Sequence, residues 1–321
     1  MGEQVITVPS HNTAQDPVRG VCPVLETPFT STGEIDHESF TSLIRHVAGT
    51  RVSSVMFPGF ASEFYKLSDQ ERGTLTSTLL DVAGETPHLS VVVSVPDHAT
   101  KLAVARAREA VGLGAAAINV LPPFQQSPSG DAVRGHVESI AEAVYPTPVI
   151  VQYAPAQTGT ILAAPEIASM AAMHPNIRQV KVEATPPGAM ISALAQQNPP
   201  LSAIIGYAGV QMIDALRRGA VAVQPGCSFV EVYQEIWEVW SDGRQDEATE
   251  LHRQLLPYIS YWMQSVELII AAEKRISRLR GLIREEVCRA PMRELDRHEC
   301  AAIDRFLETY SRLFSAEPNS R

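Results

Sequence analysis

The stretch 176–185, NIRQVKVEAT, sets a lysine where the surrounding pattern asks for apolar side chains. Ile177, Val180 and Val182 read as a short strand, and Lys181 stands between two valines. One reading is a solvated lysine whose stem lies along apolar surface while its ammonium reaches water. The other is a buried amine. An unpaired ammonium is costly to bury, and burial pushes lysine toward the neutral form, the form that attacks a carbonyl carbon. Of the 26 basic residues, four are lysine: Lys66, Lys101, Lys181 and Lys274. Arginine does not readily give up its proton, so each lysine carries weight. Lys66 precedes a helix start, Lys101 lies on a helix, and Lys274 sits in the charged run EKRISRLR. These three are expected to be solvated.

A phenol accompanies the amine. The segment VQYAP ends in Tyr153 at the close of the preceding strand candidate. A phenol beside an imine-forming lysine can relay protons to and from the carbinolamine and enamine. Alone it would be an ordinary core or rim tyrosine; the pairing with Lys181 gives it significance.

These residues need a frame to hold them. Strand candidates recur at 20–27, 53–58, 89–95, 116–122, 148–154, 177–182, 202–207 and 220–226, with helical stretches between them. Eight such alternations predict a (β/α)8 TIM barrel. An open doubly wound sheet is the alternative, but no GxGxxG follows the first strand. In a barrel the chemistry sits at the C-terminal ends of the strands, where Lys181 and Tyr153 fall. The expected organisation is a loose arm over 1–17, a barrel over 18–242 and a C-terminal helical extension over 243–321. The extension has three- and four-residue apolar spacing interrupted at CRAPMRELD. It is read as packing on the barrel, or joining subunits, without a function of its own.

The bulk composition narrows the function classes. Of the 321 residues 45% are hydrophobic and 19% charged, and the formal net charge is −10. That balance argues against nucleic acid as a partner and for a small-molecule role. No signal-peptide pattern or membrane-length apolar run is present, so the expected location is the cytoplasm. Cys22, Cys227, Cys288 and Cys300 form no CxxC pair and have no histidine at zinc spacing. They are read as reduced structural thiols, with no metal or cofactor.

With these residues in view, the chain resembles the dihydrodipicolinate synthase/N-acetylneuraminate lyase family of Schiff-base-forming aldolases. PVLETPFTSTGEID, FPGFASEFYKLSDQER, VLPPF, YAPAQTG, VKVE, GYAG, RRGAVAVQPG and CRAPMREL follow in that family's order from about residue 18 to 312. The resemblance implies that Lys181 forms a Schiff base with a 2-oxo acid, usually pyruvate, and that Tyr153 is the proton-relay phenol. It also implies a homo-oligomer, tetramer or dimer.

The departures from the family pattern are specific. Gly59 and Glu63 match the strand-two loop, but Phe60 and Ala61 replace two threonines. The amides of Ala61 and Ser62 are expected to hold the carboxylate, and the Ser62 hydroxyl is a candidate for the missing relay. Phe124 and Gln125 stand where the family often has two tyrosines, one of them reaching a neighbouring subunit. Gln157 replaces the arginine with which lysine-pathway enzymes grip a second carboxylate. That exchange forfeits on the order of 2–4 kcal/mol of substrate binding. Phe60, Ala61, Phe64 and Phe124 suggest an apolar mouth suited to an aldehyde of low charge. Gly206 and Gln224 are read as pocket lining, with Gly206 and Gly226 allowing close approach. Glu63 is expected to shape its loop through amide hydrogen bonds, Cys227 to be inert, and His136 to lie on a helix face. The sequence thus predicts a lyase or synthase that forms a Schiff base with a 2-oxo acid and makes or breaks a C–C bond, of aldolase, hydratase-aldolase or dehydratase type, outside the lysine pathway. A non-catalytic barrel binding a small carbonyl metabolite is the alternative.

Overall fold

The computed structural model describes residues 16–315. Eight parallel strands form the barrel: β1 (Gly20–Val21), β2 (Ser54–Phe57), β3 (Ser90–Val95), β4 (Ala117–Val120), β5 (Val149–Tyr153), β6 (Ile177–Val182), β7 (Ser202–Ile205) and β8 (Ala222–Val223). From β2 to β8 each strand pairs with its sequence neighbour, and β1 pairs with β8. The ring closes through Leu25 N–H to Met56 O at 3.0 Å and Met56 N–H to Pro23 O at 2.9 Å. This is the predicted (β/α)8 barrel. Its first and last strands are shorter than their sequence runs because Pro23 and Pro225 have no N–H to continue a ladder.

The helices of the barrel are α1 (His37–Gly49), α2 (Asp69–Gly84), α3 (Thr100–Gly112), α4 (Gly130–Val144), α5 (Pro155–Thr158), α6 (Ala164–Met173), α7 (Gly188–Ala195), α8 (Met212–Arg217) and α9 (Val230–Ser241). Local chemistry sets their starts. Asp36 accepts the Ser39 amide at 3.0 Å to begin α1, and Ser68 with Glu71 forms a reciprocal capping box on α2. Phe40, Leu43, Ile44 and Val47 then face the strands at helical spacing. Each such buried side chain stabilises by about 1.5–3 kcal/mol, and Leu43→Ala would cost about 2–5 kcal/mol.

Strand alternation divides the core into two layers. Val151, Val180, Val182 and Ile205 belong to the layer between strands and helices. Met56, Val92, Ile150 and Ile204 fill the inside of the ring. Lys181 is in register with Ile204 on one side and Gln152 on the other. It therefore points into the barrel.

The extension forms three helices, α10 (Gln245–Trp262), α11 (Val266–Leu279) and α12 (Arg297–Phe314). The apolar-spaced stretch 245–283, before CRAPMRELD, is not continuous: it breaks at 263–265, where Ser265 Oγ accepts the Leu268 amide and starts a new helix. Phe306 of α12 packs against Phe229, Tyr258, Trp262 and Tyr310. Residues 1–15 of the expected arm lie outside the described residues; Asp16 accepts a hydrogen bond from Ser202 Oγ of β7 at 2.7 Å.

Two lysine expectations are overturned. Lys101 is exposed, but the Lys66 side chain is 7% exposed and that of Lys274 0%. Their shared partner is Glu63, which lies 3.0 Å from Lys66 Nζ and 2.5 Å from Lys274 Nζ. Phe29 covers Lys274 at 4.2 Å. Glu63 does accept one loop amide, from Arg289 at 3.1 Å, but it is chiefly the centre of a buried ion-pair cluster joining the β2 loop to α11.

Candidate active site

Lys181 sits near the C-terminal end of β6, 3% exposed. Its amine is not isolated, as a reading built on the flanking valines assumes. Glu183 Oε1 lies 3.4 Å from Nζ, so a carboxylate offsets the cost of burying the ammonium. Glu183 is fixed in turn. Its Oε2 accepts from Gln152 Nε2 at 2.6 Å, and Gln152 Oε1 accepts from Asn119 Nδ2 at 2.8 Å. Asn119 also donates to Ser94 Oγ at 2.9 Å. A polar chain thus crosses the barrel interior from β3 to β6 and ends at the lysine. A methyl group on Gly206 would sit 2.4 Å from Glu183 Cγ, so the carboxylate occupies space that only glycine leaves open.

A cavity opens over this pair. It encloses about 70 Å³, small beside the ~300–1,000 Å³ of drug-sized sites. Lys181, Glu183, Phe60, Ala61, Gln157 and Gln224 line it together with Tyr207. The remaining wall includes Met263, Val266, Ile269 and Glu273. Those four belong to the C-terminal extension, which therefore builds part of the site and does more than pack on the barrel.

The other expected site residues lie around the cavity and not in its wall. Tyr153 ends β5 in register with Val182, and its carbonyl accepts the Glu183 amide at 2.8 Å. Gln152, not Tyr153, stands level with Lys181, and the Tyr153 ring packs on the outer apolar layer. Burial raises its phenol above the usual range, so it keeps its proton at neutral pH. Gly59 donates its amide to Ser62 Oγ at 2.9 Å, and the Ser62 hydroxyl donates to Leu25 O. The Ser62 amide is given to Gly59 O at 2.9 Å. Both groups of Ser62 are thus engaged by the backbone of Gly59 and Leu25. Phe124 packs on His98 at 4.5 Å, and Phe64 packs on Phe60 at 5.4 Å. Of the residues expected to make the mouth apolar, only Phe60 and Ala61 reach the wall.

The cavity wall also holds a strained turn. Tyr207 and Ala208 are both left-handed, with φ of 56° and 49°, a conformation that costs non-glycine residues energy. The turn is held from behind: Tyr233 donates to Ala208 O at 2.7 Å, and His252 Nε2 lies 2.9 Å from Gly209 O. Cys227 is buried, and burial pushes its thiol well up, which fits an inert role. His136 lies on the inner face of α4 and shares a hydrogen bond with Thr100 at 3.0 Å.

The chain is a closed parallel barrel with a carboxylate-paired lysine inside its C-terminal mouth. The dihydrodipicolinate synthetase family matches residues 17–310. L-2-keto-3-deoxyarabonate dehydratase of Azospirillum brasilense is 30% identical over 306 residues, covering 90% of this chain and 94% of that protein. The 4-hydroxy-tetrahydrodipicolinate synthase of Methanosphaerula palustris is 26% identical over 298 residues, covering 91% and 99%. The crystal structure of dihydrodipicolinate synthase from Rhodopseudomonas palustris superposes with a TM-score of 0.83 at 22% identity, covering 91% and 97%. The chain belongs to the dihydrodipicolinate synthetase family. It is an enzyme of the lyase class. Among the described residues, no helix is long and apolar enough to cross a membrane, and no group of His, Cys, Asp or Glu is arranged to hold a metal ion.

Proposed function

We propose that Lys181 forms a Schiff base with the keto carbon of a 2-oxo acid, and that the enzyme dehydrates a hydroxylated member of that class. The observation that carries this reading is the Lys181–Glu183 pair, 3.4 Å apart inside one cavity. Lys181 Nζ adds to C2 and water departs, leaving an iminium that draws electrons from C3. A proton leaves C3 and an enamine forms. Its electrons then expel the C4 hydroxyl, which departs as water on taking a proton. Hydrolysis of the imine releases the product, so the net change is loss of one water.

Glu183 is placed for the proton transfers. Gln152 aims it, and it stands next to the amine. The family resemblance implies Tyr153 as the relay, but its ring packs on the outer apolar layer, so we assign the proton transfers to Glu183. Gln157 supports a reaction outside the lysine pathway, because it presents a neutral amide where that pathway's enzymes hold a carboxylate with arginine. The similarity to a protein named as a sugar-acid dehydratase supports the same direction. We place the enzyme in the cytoplasm as a homo-oligomer with a small-molecule 2-oxo acid as substrate.

Borohydride reduction in the presence of pyruvate, read by intact mass, tests the imine. A pyruvate-sized adduct is expected on the parent and not on Lys181→Ala. Incubation with 2-keto-3-deoxy sugar acids should then release water without cleaving the carbon chain. Absence of an adduct across a panel of 2-oxo acids, with the protein folded, would return the barrel to the role of a carbonyl-metabolite binder.

A further inference from the structure

Glu273 comes from α11, in the extension, yet lines the same cavity as Lys181. It is 3% exposed, and its Oε2 has no hydrogen-bond partner within the protein. The backbone has been cleared for it: a methyl group on Gly226 would sit 1.7 Å from that oxygen. Two more cavity-lining oxygens, Gln157 Oε1 and Gln224 Oε1, are likewise buried and unpartnered. Buried acceptors are ordinarily satisfied, and three in one cavity call for a ligand rich in donors. Hydroxyl groups are such donors. A bare 2-oxo acid or an apolar aldehyde has none.

We propose that Glu273 is a specificity residue that hydrogen-bonds a hydroxyl group of the substrate, so that the enzyme prefers 2-oxo acids hydroxylated beyond the keto carbon. This deepens the Schiff-base reading and rests on it for the position of the keto end.

The charge arrangement fits this task. Behind the cavity lie three buried carboxyls, Glu26, Glu63 and Glu273, and two buried lysines, Lys66 and Lys274. Both lysines pair with Glu63. Glu26 is left beside Glu273, with Lys274 and Arg280 near enough to oppose the rise of its carboxyl. Burial first, and then Glu26, push the Glu273 carboxyl up to about 8 against the hydrogen bonding of Ser228. The other groups around it are Cys227, the Tyr233 phenol from α9, and Lys181 and Glu183 in the shared cavity wall. A carboxyl raised in this way favours its acid form. It donates and accepts at once, which suits a hydroxyl group, and it does not repel the substrate's own carboxylate.

The test compares the full-length parent with Glu273→Met and Glu273→Gln, two replacements of similar length. The probes are 2-oxopentanoate and its dihydroxylated counterpart, each titrated into borohydride trapping at fixed time. The parent should reach half-trapping at a concentration at least about tenfold lower for the hydroxylated acid. Glu273→Met should bring the two acids within about twofold by weakening only the hydroxylated one. Glu273→Gln, which still donates and accepts, should keep part of the preference. Equal half-trapping in the parent, or a preference that survives in Glu273→Met, overturns the proposal. If the parent traps neither acid, the imine reading has failed. Calorimetric titration of the same two acids then decides the role of Glu273: a preference lost in Glu273→Met supports it, and no preference or an unchanged one overturns it.

Discussion

Lys181 Nζ and Glu183 Oε1 lie 3.4 Å apart on the same stretch of chain, two residues from one another. Residues i and i+2 of a strand share a face, so the element that turns the amine inward brings the carboxylate with it. Gln152 on the neighbouring strand holds the carboxylate from the other side at 2.6 Å. Amine, carboxylate and amide form one unit, and they should respond differently when removed singly.

Lys181→Ala deletes the proposed nucleophile. Turnover should fall by about 10³-fold or more, and the borohydride adduct should vanish. Intact-mass measurement with pyruvate checks this; an adduct of unchanged yield would place the imine on another amine.

Glu183→Gln keeps the shape and removes the proton carrier. The adduct should persist while kcat falls by about 10²–10⁴-fold. Steady-state kinetics alongside trapping separate the two effects. Loss of trapping together with turnover would show that Glu183 serves the lysine and not the later proton transfers.

Lys274→Met leaves Glu63 with one of its two buried cations. Breaking such a pair costs about 3–5 kcal/mol. Lys274→Met combined with Glu63→Gln should recover much of that loss, since no carboxylate then remains to be compensated. Urea unfolding of the single and double variants measures the difference, and a double variant no more stable than Lys274→Met would contradict it.

Stability should fall as pH rises through the range where Glu273 differs between folded and unfolded chains. Its carboxyl is raised from the ordinary 4.5 to about 8. Between those values the folded state holds a proton that the unfolded state has lost. The contribution is therefore complete below about 4.5 and gone above about 8, and its size is on the order of several kcal/mol. Glu26, whose carboxyl burial also raises, adds in the same sense. Glu273→Gln removes the Glu273 share, so its unfolding free energy should decline less between pH 5 and 8 than the parent's. Parallel slopes would count against a protonated Glu273.

Much of this was legible in the sequence, and the gaps have physical reasons. The eight strand runs gave the barrel, and Lys181 stood out because valines flank it. Glu183 was equally legible: the period of two in VKVE sets both side chains on one face. The flanking valines account for the lysine's burial on their own, which hides the need for a carboxylate. Lys274 reads as part of a charged run, because its burial depends on Glu63, more than two hundred residues earlier. No local pattern reports such a partner. The break before α11 was hidden because it lacks glycine or proline and is made by the Ser265 cap. The Ser62 hydroxyl reads as a substitute for the missing loop threonines, but it is spent on the backbone of Leu25 and Gly59.

Lys181 and the opposite wall of its cavity are carried on separate lengths of polypeptide. Lys181 and Glu183 belong to β6 and the residue just beyond it, while Met263, Val266, Ile269 and Glu273 arrive with or just before α11. Exchanging the segment after the barrel between relatives would thus transplant one side of the chamber and leave the amine in place, a route by which such enzymes can diversify what they accept without reinventing how they react.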